Sequence, residues 1–113
     1  MENTAELFGL SPRDIQTIHD VFSQYTDIET VRIFGSRATG SFKPGSDIDL
    51  AIMNSVPSRI MLNLINDFEE SSLPFKIDLI DFSSLTNPAL TEHIQKAGIV
   101  FYNRPSSKTE NPG

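Results

Sequence analysis

The stretch from residue 33 to residue 52, IFGSRATGSFKPGSDIDLAI, constrains the fold of this chain more than any other. A short apolar segment leads into GSRATGSFKPGS, whose glycines, serines and proline are typical of a loop. The segment DIDLAIM then alternates, with three aliphatic residues on one face of a strand and Asp47, Asp49 and Ala51 on the other. The sequence therefore predicts two strands joined by a glycine-rich loop, with two carboxylates side by side.

The segments around this unit predict three amphipathic helices. The first is capped by Ser11 and begins at Pro12, which suits the first helical position. The second spans residues 57 to about 70, and the third begins at Pro88 and ends near residue 98. We expect the apolar stripe of the second helix to lie in the core; its members are Met61, Leu64, Ile65 and Phe68.

Besides DIDLAIM, three segments predict strands: TVRIF, which leads into the loop, LPFKIDLIDF after the second helix and IVFYN after the third. The order strand, helix, strand from DIDLAIM to LPFKIDLIDF is typical of a βαβ unit. Such a unit has parallel strands and a right-handed crossover. The pattern as a whole predicts an α/β fold.

Length and composition limit what the chain can be. Its 113 residues are the length of one domain, which we expect over residues 1–103, followed by a disordered polar tail over residues 104–113. The net charge of −6 disfavours binding to a nucleic-acid backbone. The first residues lack the basic start of a signal peptide, and no apolar run approaches the roughly 20 residues of a membrane helix. We therefore expect a cytoplasmic protein.

The chain has no cysteine, which excludes disulfides and thiolate metal sites. Neither His19 nor His93 has a metal-ligating partner four residues away, and both are predicted at the surface. A metal would have to be held by carboxylates, which favours a hard cation such as Mg²⁺ or Mn²⁺.

Asp47 and Asp49 are the candidate ligands. Two like charges on one face of a strand repel each other unless a cation lies between them. A site with two cations for phosphoryl chemistry needs a further carboxylate from a neighbouring strand. Asp78 offers one, because it lies in the middle of an otherwise apolar strand. Asp81 is the alternative, although at the end of the strand it could instead serve a turn or a cap.

The loop supplies candidate phosphate-binding groups. Gly35 allows backbone to approach a ligand closely, and the hydroxyl of Ser36 with nearby backbone N–H groups can hold phosphate oxygens. Arg37 could neutralise phosphate charge.

The segment GSRATGSFKPGSDID resembles the signature of the polymerase-beta-type nucleotidyltransferase superfamily: Gly-Ser, ten residues, then Asp-x-Asp. It is most similar to the minimal nucleotidyltransferases, some of which act as antitoxins beside a small helical HEPN protein. The resemblance covers about half of the chain, from Thr30 to Phe82. It implies a small mixed sheet with helices packed mainly on one face.

The resemblance also implies an activity. A Mg²⁺-dependent enzyme, with two ions and Mn²⁺ as a possible substitute, would transfer AMP from ATP to a hydroxyl, such as a tyrosine of a HEPN-type toxin. Gly35, Ser36 and Arg37 would bind the nucleotide, and Asp47, Asp49 and Asp78 would be the catalytic and metal-binding residues.

Two other functions stay open at this point. The chain could neutralise its partner by occlusion with little catalysis, or it could transfer a nucleotide to a small molecule. Few residues follow Asp78, so we expect a partner chain to supply much of the acceptor site. The acceptor, the nucleotide preference and the oligomeric state are not specified by the sequence.

Overall fold

The computed structural model describes residues 7–104, which form one four-stranded sheet with helices on both of its faces. The elements in chain order are α1 (Pro12–Ser23), β1 (Thr30–Phe34), α2 (Ser36–Thr39), β2 (Ile48–Ile52), α3 (Ser58–Glu69), β3 (Ile77–Asp81), a 3-10 helix (Phe82–Ser84), α4 (Pro88–Ala97) and β4 (Ile99–Asn103). The predicted α/β fold and its long elements are confirmed. The predicted tail lies outside the described residues except for Arg104, whose backbone N–H donates to the carbonyl of Glu29 at 2.7 Å.

The sheet is mixed. Its order is β3-β2-β1-β4, with β1 antiparallel to both β2 and β4, and β2 parallel to β3. The parallel pair is joined through α3, as the βαβ pattern predicts. The two edges of the sheet are therefore β3 and β4.

The larger core lies between the sheet and the helices α1 and α3. On this face the strands contribute buried aliphatic side chains, and the helices contribute Ile18, Phe22, Leu64 and Phe68. The opposite face carries a smaller cluster, in which Phe34 and Ala51 of the sheet pack against Ile94 of α4. The helices are thus mainly on one face, and the alternation predicted for β2 is confirmed.

The helix α1 begins as its sequence predicts. The Ser11 hydroxyl accepts a hydrogen bond from the backbone N–H of Asp14 at 3.1 Å, and the Asp14 carboxylate accepts one from the backbone N–H of Ser11 at 3.3 Å. This reciprocal pair satisfies two N–H groups that would otherwise have no partner at the start of the helix.

The prediction for α3 was wrong at one position of its stripe. Ile60, Leu64 and Phe68 are buried, whereas Ile65 is 40% exposed. The sheet ends at β3, and none of the described residues covers Ile65 from beyond that edge.

The prediction that both histidines are surface residues was also wrong, because both are half-buried. The ring of His19 lies edge-on to Phe101 and Tyr102, and its Nε2 is 2.7 Å from the carbonyl oxygen of Phe101. His93 packs edge-on against Phe34. Within residues 7–104, no helix has the length and apolarity required to cross a membrane.

Candidate active site

The candidate site lies where β1 ends and where β2 and β3 begin. Asp49 of β2 is paired with Phe34 of β1 on one side and with Asp78 of β3 on the other. Paired residues of neighbouring strands share a face of the sheet, so Asp49 and Asp78 are on the face that carries α4. Asp47 precedes β2 and, by the same alternation, belongs to this face.

Asp81 is placed differently. It is paired with Ile52 of β2. Because Asp81 lies three residues along β3 from Asp78, an odd number, its side chain faces the other side of the sheet. Its carboxylate accepts hydrogen bonds from the backbone N–H and the hydroxyl of Ser83 at 3.0 and 2.7 Å, and from the hydroxyl of Ser84 at 3.1 Å. Asp81 caps the 3-10 helix, so Asp78 is the carboxylate that the structure brings to Asp49.

Gly35 joins β1 to α2 in a backbone conformation that other residues avoid. Its φ is 75° and its ψ is −154°, a region open essentially to glycine alone. A Cβ at this position would also overlap the carboxylate oxygen Oδ2 of Asp49. Gly35 is therefore required twice, once for the turn and once for the space that the Asp49 carboxylate occupies.

The three carboxylates act on one another electrostatically. Partial burial raises the pKa of Asp49, and the nearby charges of Asp78 and Asp47, together with a hydrogen bond to Asp78, raise it further. The Arg37 guanidinium opposes this shift and lowers the pKa, as the smallest of the causes. The negative charge of the three carboxylates is therefore only partly offset by the positive charge of Arg37.

Ser36 opens the four-residue helix α2 directly after Gly35. Its carbonyl accepts hydrogen bonds from the backbone N–H groups of Gly40 and Ser41 at 2.9 and 3.0 Å. Its hydroxyl has no hydrogen-bond partner among the described residues. The hydroxyl therefore remains available, one residue from the glycine that contacts Asp49.

Arg37 is not a free cation in the loop. Its side chain is only 3% exposed, and its guanidinium lies between the rings of Phe42 and Phe75, 5.1 and 4.7 Å from their centroids. Nε and Nη2 donate to the carbonyl of Ser46 at 3.2 and 2.8 Å, and Nη1 donates to the carbonyl of Phe8 at 2.8 Å. This location favours a structural role for Arg37 over the predicted phosphate contact.

Through its hydrogen bonds to Ser46, Arg37 also helps to position the aspartates that follow. Ser46 directly precedes Asp47, so the guanidinium fixes the backbone that leads into Asp47 and Asp49. The sequence alone did not indicate this, because the partners of Arg37 are backbone carbonyls, one of them from the segment before α1.

The donor set fits a hard divalent cation. Carboxylate oxygens are the ligands that Mg²⁺ and Mn²⁺ prefer, and a cation would relieve the repulsion that raises the pKa of Asp49. Among residues 7–104, however, no three His, Asp or Glu side chains are close enough together to hold an ion as they stand. The candidate ligands are the exposed carboxylates of Asp47 and Asp78 and the half-buried one of Asp49.

The fold and this site define a nucleotidyltransferase. The chain belongs to the family described as Polymerase beta, Nucleotidyltransferase, whose model matches residues 16–107. The match includes the glycine-serine turn, the aspartate pair and β3.

One curated relative is a Haemophilus influenzae protein named "Probable protein adenylyltransferase MntA". It is 31% identical over 106 residues, which span 92% of this chain and 91% of the relative.

Solved structures share the fold. A chain of a toxin–antitoxin complex crystallised with AMP-PNP aligns with a TM-score of 0.65 and 20% identity, over 83% of this chain and 77% of the other. A complex of a tri-AMPylated HEPN toxin from Shewanella oneidensis with its MNT antitoxin contains a chain that aligns with a TM-score of 0.58 and 18% identity, over 83% and 73%. At these identities the similarity concerns the fold.

Proposed function

We propose that this nucleotidyltransferase moves AMP from ATP to a tyrosine hydroxyl of a HEPN-type toxin, and that it acts in this way as the antitoxin. The observation that carries the proposal is the position of Asp49, with Gly35 against one side of its carboxylate and Asp78 on the neighbouring strand. The name of the Haemophilus influenzae relative and the toxin–antitoxin complexes among the similar folds support the choice of acceptor.

In this proposal the residues of the chain divide the work. The Ser36 hydroxyl donates to a phosphate oxygen of ATP, and Gly35 leaves room for the phosphates. The acceptor oxygen bonds to the α-phosphorus while the bond from that phosphorus to the pyrophosphate oxygen breaks. Pyrophosphate leaves, and the proton of the hydroxyl passes to the carboxylate of Asp78.

Asp47, Asp49 and Asp78 would hold divalent metal, in the form of two Mg²⁺ ions for which Mn²⁺ can substitute. The bound metal would supply positive charge to the triphosphate and to the leaving pyrophosphate. The raised pKa of Asp49 supports this assignment, because crowded carboxylates gain most from a cation.

The test is mass spectrometry of the HEPN-type partner after incubation with this protein, ATP and Mg²⁺. We expect a gain of one or more AMP units on tyrosine, and no gain with Asp49→Asn. Tight association without a mass gain would favour neutralisation by occlusion. AMP on an added small molecule, with none on the partner, would favour the third function.

A further inference from the structure

The edge strand β3 has unpaired backbone groups beside the candidate site. The backbone N–H of Ile48 donates to the carbonyl of Lys76 at 2.9 Å, so the peptide groups of Lys76 are directed toward β2. Peptide groups alternate along a strand, and those of Asp78 therefore also bond to β2. The N–H and C=O groups of Ile77 and Leu79 are directed away from the sheet, where none of the described residues pairs with them.

A groove of about 220 Å³ runs between α3 and this edge. It is lined by Ile65, Phe68 and Glu69 of α3 and by residues 75–79. Most of the lining is apolar, and it includes Ile65, the side chain predicted to be buried and found 40% exposed. The groove can therefore hold apolar side chains that belong to another segment.

The charge at this edge of the sheet favours a basic occupant. Glu69 lines the groove, while the side chains of Asp78 and Lys76 belong to the opposite face of β3, which is the face of Asp49. The ion pair found among the described residues, between Lys96 and Glu92, lies elsewhere. The whole chain carries a net charge of −6, which would attract basic residues on either side of the acceptor.

Alternation along an added strand would connect the groove to the carboxylates. A residue placed opposite Asp78 shares its face, which is the face of Asp49. The residues before and after it face α3, above Ile77 and Leu79, where the groove lies. One extended segment could thus present a hydroxyl to Asp78 and insert its neighbouring side chains into the groove.

We propose that the acceptor binds as an additional strand on β3: an extended segment with a hydroxyl residue between two apolar residues, flanked by basic residues. This inference rests on the proposed function and names how its acceptor is recognised. Backbone hydrogen bonds would provide affinity, and the groove would select the apolar neighbours.

The first test uses the full chain, ATP, Mg²⁺ and the capped peptide Lys-Val-Tyr-Val-Lys. One analogue is N-methylated at both valines and a matched analogue at the tyrosine. In an antiparallel addition the valine N–H groups face β3, whereas in a parallel addition the tyrosine N–H does. We expect one analogue to bind at least tenfold more weakly and the other within about twofold of the parent. Equal effects of the two would overturn the proposal.

The second test is residue-resolved amide hydrogen exchange with millimolar peptide and no nucleotide. We expect the amides of Ile77 and Leu79 to exchange at least about fivefold more slowly, while those of Ile99 and Val100 on the opposite edge strand do not change. Protection of β4, or of neither strand, would contradict the proposal.

A pair of variants tests the groove. Ile65→Asp should raise the Kd of the peptide at least tenfold, because Ile65 lines the groove. Leu62→Asp is the control, since Leu62 is on the same helix, is 67% exposed and does not line the groove. Equal melting temperatures of the two variants would show that both are folded, and equal Kd values would then overturn the proposal.

The experiments distinguish a failure of strand addition on β3 from a failure of the proposed AMP transfer. AMP transfer to the tyrosine without protection of Ile77 and Leu79 would reject strand addition alone. Protection of these amides without AMP transfer to the peptide or to a HEPN-type partner would reject the proposed function and support the docking surface.

Discussion

At the scale of single residues, the site is defined by carboxylates that the fold forces together. Asp49 has a raised pKa because it is partly buried beside Asp78 and Asp47. Its ionised form therefore costs stability in the metal-free protein, and the folded state holds the proton more tightly than the unfolded chain does. Under the proposed function, activity and stability would be in conflict at this position, as is common in active sites.

We predict that Asp49→Asn abolishes AMP transfer and raises the melting temperature of the metal-free protein by about 2–5 °C at neutral pH. Because the folded pKa is above the ordinary value of 3.8, the wild type loses stability as pH rises through the interval between these two values. The advantage of the variant should therefore vanish below about pH 3.8. Thermal unfolding between pH 3 and pH 8 measures this.

Asp27→Asn is the matched control, since it removes one negative charge from an exposed side chain far from β3 in sequence. It should change the melting temperature little at any pH. An Asp49→Asn protein that melts below the wild type at neutral pH would show that Asp49 is structural.

A second prediction concerns Arg37, whose buried guanidinium holds the carbonyls of Phe8 and Ser46. A lysine cannot reproduce this fork, so Arg37→Lys should lower stability by about 2–3 kcal/mol and reduce kcat, with the KM for ATP nearly unchanged. Thermal unfolding and steady-state kinetics check this, with the exposed Arg59→Lys as control. A raised KM at unchanged stability would instead support the phosphate contact that the sequence suggested.

Residue positions were predictable where alternation decides them. The faces of β2 and the position of a lone aspartate in β3 follow from the two-residue period of strands. The role of Arg37 and the burial of His19 do not, because both depend on segments distant in sequence: Phe8 for the first, Phe101 and Tyr102 for the second.

At the scale of elements, the connection between β1 and β2 matters most. Sequence composition predicts a loop there, and most of it is one, but α2 occupies Ser36–Thr39. Four residues are too few to show helical periodicity. The exposure of Ile65 on α3 likewise could not be predicted, since the stripe of a helix does not reveal where the neighbouring sheet ends.

We predict that Ser36→Ala reduces kcat/KM for ATP about ten- to hundredfold, the loss expected for one hydrogen bond to a charged oxygen, worth about 1.5–3 kcal/mol. Ser41→Ala, in the same loop, is the control, because the Ser41 hydroxyl is bonded to that of Thr39. The assay pairs the AMP-transfer rate with the affinity for the HEPN-type partner, which should not change. An unchanged rate would remove Ser36 from the phosphate site, and lost association in a folded variant would make the loop an interface.

At the scale of the whole molecule, ligands should act together. Since a few carboxylates leave part of the coordination shell of a hard cation to water, Mn²⁺ alone should bind weakly, and a triphosphate should supply the remaining ligands. We predict that Mn²⁺ with a non-hydrolysable ATP analogue stabilises the protein by about 2–3 kcal/mol near hundredfold saturation, far more than either ligand alone. Calorimetric titration and thermal unfolding measure this, and Asp78→Asn should lose the joint effect. Additive effects of the two ligands would argue against a shared site.

The overall architecture was predictable only in part. The βαβ pattern gave the parallel pairing of β2 with β3, because a helix between two strands leaves few alternatives. The position of β1 between β2 and β4 depends on which buried faces complement each other, and local patterns do not encode this. The placement of α4 on the opposite face likewise depends on contacts between segments that are distant in sequence.

The sheet order also bears on how the chain folds. The strands β1 and β2 meet through a short connection, whereas β1 meets β4 only when Thr30 reaches Asn103. Closing the longer loop costs more chain entropy, so the hairpin that brings Gly35 to Asp49 should form early and the far edge late. Asp47 and Asp49 therefore come close together and repel each other during folding, before the sheet is complete.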